Sequence, residues 1–117
     1  MLGNLYENGL GVETDLRRAY ELYLKAAELG SKQGLSNVGI ALLIGRGVER
    51  NPFEAAKWNR RAAEKGRAHA QFNLGQQYLS GDGVPQDFQK AIYWISEAAQ
   101  NGYERAIQIM EQINGIQ

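Results

Sequence analysis

One arithmetic feature restricts what this chain can fold into more than any other: residues recur at intervals of 36 along its length. Gly3, Gly39 and Gly75 are spaced so, and the same step links Gly9, Gly45 and Gly81, then Gly11, Gly47 and Gly83. Val12, Val48 and Val84 keep the register, as do Ala19, Ala55 and Ala91, the pairs Ala26-Ala27, Ala62-Ala63 and Ala98-Ala99, and Gly30, Gly66 and Gly102. A fixed period of this size means repeated supersecondary units, each too small to bury its own apolar face and therefore obliged to stack on its neighbours. Any function is then expected on surfaces made by stacking.

The third unit shows what is repeated. Ala70, Leu74 and Tyr78 fall at i, i+4 and i+8, one stripe of an amphipathic helix, with Gly75 beside it where a neighbouring helix can approach closely. Gly81-Asp82-Gly83-Val84-Pro85 then ends that helix. Asp87 reads as the N-cap of a second helix, with Asp15 and Asn51 in the same column. Asn51 is followed by Pro52 at the first helical position and by Glu54, which predicts a capping box. Ala91, Trp94 and Ala98 form the buried stripe of the second helix, and Gly102 closes it. Helices are predicted at about 1–8, 16–29, 33–44, 52–65, 68–80, 88–101 and 103–114. In the last, Ala106, Met110 and Ile113 face inward while Glu104, Gln108, Glu111 and Gln112 face water, as a solenoid's terminal cap requires.

The segment from Ala70 to Gly102 carries A-x-x-x-L-G-x-x-Y-x-x-G-x-G-V-x-x-D followed by K-A-x-x-W-x-x-x-A-A-x-x-G. This resembles the Sel1-like repeat, a relative of the tetratricopeptide repeat. The middle unit matches with Leu42 in the tyrosine column, and the first has Leu22 in the tryptophan column. The resemblance implies an all-α, right-handed superhelical solenoid that acts as a protein-interaction scaffold. The expected layout is one domain, 1–117, with repeats at about 1–33, 34–69 and 70–105 and a capping helix at about 103–114. Some secreted bacterial members are cysteine-rich; this chain contains no cysteine.

Composition removes several function classes. Thirteen basic residues balance thirteen acidic ones, which lacks the basic excess expected of a nucleic-acid binder. No apolar run is long enough to span a bilayer, and MLGNLYENG has neither the basic nor the apolar part of a signal peptide. With cysteine also absent, a cytoplasmic location is expected. His69 is the only histidine, so neither a metal site nor a histidine-based catalytic pair is expected, and no cofactor is. The Gly-x-Gly-Val segments lack the lysine and hydroxyl of a phosphate loop and read as turns. Trp58 and Trp94 read as core. The chain is not expected to be an enzyme.

In the tetratricopeptide fold the first helix of each pair lines a concave groove. Aligning Leu74-Gly75 with that fold implies inward positions at His69, Phe72, Asn73, Gln76 and Leu79, at Gln33, Ser36, Asn37, Ile40 and Leu43, and at Asn4, Glu7 and Asn8. Arg105 and Gln108 of the final helix would extend it. The groove so drawn is nearly uncharged and apolar at its middle. Either these side chains bind a partner protein or peptide that presents apolar groups, or superhelical curvature buries them against adjacent helices. Two other readings stay open: self-association into a homodimer through Leu2, Leu5 and Tyr6 of an uncapped first unit, and an inhibitor or immunity-type protein that occludes an enzyme.

Overall fold

In a computed structural model, which describes residues 2–115 with side chains from Asp15 onward, the chain is a succession of six helices. They are α1 (Leu2–Glu28), α2 (Lys32–Ile44), α3 (Pro52–Glu64), α4 (Ala68–Ser80), α5 (Phe88–Gln100) and α6 (Glu104–Gly115). Among the described residues there is no strand. Each helix packs on the next, and α2 also touches α4. The radius of gyration is 16.3 Å and the extents are 57 × 34 × 26 Å, against about 13 Å for a compact chain of this length. The architecture is an all-α helical solenoid.

Local chemistry sets the helix ends. The Ser31, Asn51 and Asp87 side chains accept from the backbone N–H groups of Gly34, Glu54 and Lys90, each at 3.1 Å. The expected capping box is only half formed. The Asn51 N–H donates to the Leu42 carbonyl at 2.7 Å, so the Glu54 carboxylate is free to pair with Lys57 instead. The two halves of each turn are tied across their ends: Asp87 N–H donates to the Tyr78 carbonyl, and the Arg50 and Gln86 side chains donate to the carbonyls of Leu43 and Leu79.

Glycine lets the helices close up. A Cβ added at Gly39 would lie 2.1 Å from Asn59 Oδ1, and one at Gly75 would lie 2.7 Å from Ile95 Cγ1. In α6 that column holds Glu111. The turns are seated as well. A Cβ at Gly47 would come within 2.2 Å of the carbonyl of Leu16, inside α1, and one at Gly83 within 2.2 Å of the carbonyl of Pro52, at the start of α3. A buried amide pair reinforces the second of these seats: Asn59 Nδ2 donates to Gln77 Oε1, and Gln77 Nε2 donates to the Pro52 and Asp82 carbonyls, all at 3.0 Å.

The first unit departs from the sequence expectation. Its two predicted helices are one, α1, running through Gly9-Leu10-Gly11-Val12 without a turn, and Asp15 lies inside the helix instead of capping it. The other two turns each rest on a carbonyl 31 residues earlier; in α1 the backbone of this stretch is satisfied by helical hydrogen bonds instead.

The core follows the alanine and leucine columns. Ala27, Leu35, Val38, Leu42, Ala55, Ala62, Ala63, Ala70, Leu74, Tyr78 and Ala91 form one buried cluster. Phe72, Ile95, Ala98 and Ala106 form a second beneath α6, against which Tyr103, Ile109 and Met110 pack. Met110 and Ile113 are half-buried while Glu104, Gln108, Glu111 and Gln112 are exposed, so α6 presents the two faces its sequence predicts.

Candidate interaction surfaces

Two of the expected groove residues lie inside the protein. Phe72 is 4% exposed: its ring meets Tyr103 at 4.9 Å, and the Arg105 guanidinium lies 5.7 Å from its face. Ser36, one repeat earlier in the same column, is 1% exposed. Neither can reach a partner. For Phe72 the cause is the residue before the next unit's first helix, Tyr103, which packs against it. His69 is half-buried in the same cluster, stacked on Tyr103 with centroids 5.3 Å apart. Burial first, then the nearby Arg67 charge, holds its imidazole pKa below the usual value.

The remaining positions are accessible to different degrees. Asn37, Ile40, Leu43, Asn73 and Gln76 are half-buried, and Leu79, Gln33, Arg105 and Gln108 are exposed. Asn37 and Ile40 border a hollow of about 240 Å³ that Leu16, Ala19, Tyr23 and Arg46 complete. Asn4, Glu7 and Asn8, and the Leu2, Leu5 and Tyr6 set invoked for self-association, lie outside the described side chains.

The tryptophans are not wholly core. Both are half-buried, with one side packed on the main cluster. The Arg61 guanidinium sits 5.0 Å from the Trp58 ring, a cation–π contact. Trp94 instead meets Tyr93 edge-on, with centroids 5.0 Å apart. Beside this pair opens a hollow of about 490 Å³ lined also by Ala63, Glu64, Gly66, Gln71, Glu97 and Asn101. This second surface was not anticipated from the sequence. Its signal was there, in the columns where unit two holds Lys57, Arg61 and Lys65 and unit three holds Tyr93, Glu97 and Asn101.

Stacked pairs of helices joined by seated Gly-x-Gly-Val turns define a helical repeat protein of the Sel1 type. The Sel1 repeat profile matches residues 1–31, 33–66 and 68–103, and the chain belongs to the Sel1 repeat family. Among solved structures it is similar to a Sel1 repeat protein from Oxalobacter formigenes, with 39% identity and a TM-score of 0.75, over 90% of this chain and 43% of that one. It also resembles c5321, a protective antigen present in uropathogenic Escherichia coli strains, with 41% identity and a TM-score of 0.77, over 90% of this chain and 22% of that one. Helicobacter pylori cysteine rich protein B is a further neighbour, at 25% identity and a TM-score of 0.74, over 79% of this chain and 69% of that one. The chain thus spans less than half the length of the first two. No curated protein sequence matches. Sel1 repeat proteins are generally protein–protein interaction modules, and their fold is typically a non-enzymatic scaffold.

Proposed function

We propose that this chain docks a segment of a partner protein on the face of α2 and α4 that carries Asn37, Ile40, Leu43, Asn73, Gln76 and Leu79. The observation that supports this reading is a ladder of side chains left only partly covered and repeated between units. Asn37 recurs as Asn73, and Leu43 as Leu79, which is 39% exposed. Apolar groups at intervals along a helix pair suit the alternate side chains of a docked segment, and amides between them can pair with its backbone. The face has little charge, so the partner is expected to present apolar side chains there and few ionised ones.

The test is affinity capture from host lysate, comparing the native chain with an Ile40→Asp, Leu79→Asp double variant whose helicity is verified by circular dichroism. A protein held by the native chain and lost from the folded variant is the expected result. Equal recovery from both would move binding off this face.

A further inference from the structure

The chain contains an internal comparison that assigns a ligand to the hollow beside Trp94. In unit two the exposed side of Trp58 is covered by the chain's own guanidinium, that of Arg61, and Lys57 and Lys65 occupy the flanking columns. One repeat later the tryptophan remains as Trp94, but Arg61 is replaced by Glu97, Lys57 by Tyr93 and Lys65 by Asn101. The cation that closes the site in unit two is gone, and a carboxylate stands in its column.

We propose that the hollow formed by Tyr93, Trp94, Glu64 and Glu97 is a binding site for an arginine side chain presented by a partner protein. Three features fit a guanidinium. The edge-on Tyr93–Trp94 pair supplies aromatic surface, over which a planar cation is drawn by the ring quadrupole. Glu64 and Glu97 line the same hollow, and among the described residues neither is engaged in an ion pair. A carboxylate accepts a guanidinium through two parallel N–H donors, a geometry that an ammonium lacks. The floor is already satisfied: Asn101 Nδ2 donates to Gln71 Oε1 at 2.9 Å, and Gln71 Nε2 donates to the Ala63 carbonyl at 3.1 Å. What is left without a partner in the hollow is therefore negative charge and aromatic surface, a complement to a cation. The hollow lies on α5 and the α3–α4 junction, away from the α2 and α4 ladder, so it stands or falls independently of the docking face proposed above.

The experiment is an NMR titration of the protein with a short blocked peptide, acetyl-Gly-Arg-Gly-amide, alongside the same peptide with uncharged citrulline in place of arginine. Saturable shifts of the Trp94 indole and of Tyr93 with the arginine peptide, absent with citrulline, are expected. The decisive variant is Glu97→Arg, which restores the residue that unit two carries in this column and should fill the site from within. It should weaken binding at least about tenfold, a change on the order of 1.4 kcal/mol, while circular dichroism and the Trp58 signals stay as in the native chain. Glu97→Gln, which keeps the side chain's size, should weaken binding in the same direction and serves if the arginine variant is unfolded. Equal binding of the citrulline peptide, or undiminished binding by the Glu97 variants, would overturn the assignment. So would shifts centred on Trp58 or no saturable shift at all.

Discussion

At the scale of single residues, the repeat columns hide different physical tasks behind the same letter. Gly66 and Gly83 both have positive φ, at 90° and 84°. A Cβ at Gly66 meets nothing within 4 Å, whereas one at Gly83 would stand 2.2 Å from the Pro52 carbonyl oxygen. Gly66→Ala should therefore cost only the left-handed backbone penalty, about 1–2 kcal/mol. Gly83→Ala adds overpacking worth about 1–3 kcal/mol more, because the obstacle is backbone and cannot swing aside. Urea denaturation of the two variants measures the difference; equal losses would mean that the turn is not seated on the preceding helix. The same kind of contrast separates Arg61 from Glu97, where one column closes an aromatic surface in one unit and leaves it open in the next.

At the scale of elements, α1 and α6 are the informative ones. The backbone of α1 is helical through Gly9 and Gly11, although the corresponding Gly45 and Gly81 end their helices in the left-handed conformation. A glycine inside a helix costs about 0.5–1 kcal/mol relative to alanine. Gly9→Ala is thus expected to stabilise the chain by that amount in chemical denaturation. Were the segment a turn like its two counterparts, the same substitution would destabilise by about 1–2 kcal/mol. The sign alone decides. At the other end, α6 packs on Phe72, Ile95 and Ala98, and its column equivalent to Gly39 and Gly75 holds the exposed Glu111.

At the scale of the whole molecule, each helix is stabilised by its neighbours along the array, so shape and stability follow from a chain of similar interfaces. An elongated chain with a Cα radius of gyration of 16.3 Å follows. Small-angle scattering should return a value of that order, well above the roughly 13 Å of a compact chain of equal length. A value near the compact figure would contradict the open stack, and one that grew with concentration would indicate association.

The sequence by itself determined the repeat, the all-α solenoid class and most helix limits, though not the fusion of its first two predicted helices into α1. These depend on local chemistry: the side-chain caps at Ser31, Asn51 and Asp87, the left-handed glycines, and an apolar stripe at helical spacing. It also carried the motif that marks the Sel1 family. Only the tertiary structure decided which flank of each first helix is covered, because that depends on a residue 31 positions away across a unit boundary, as Tyr103 over Phe72 shows. An amphipathic stripe locates the centre of a buried face but not its edges, and Ser36 and Phe72 lie at such an edge. α1 departs from the pattern as well: its Gly-x-Gly-Val segment is helical where those of the other two units turn. The hollow beside Trp94 was legible as an exchange of charges between columns. The site proposed there rests on Arg61 lying over Trp58 while, among the described residues, no cation lies over Trp94.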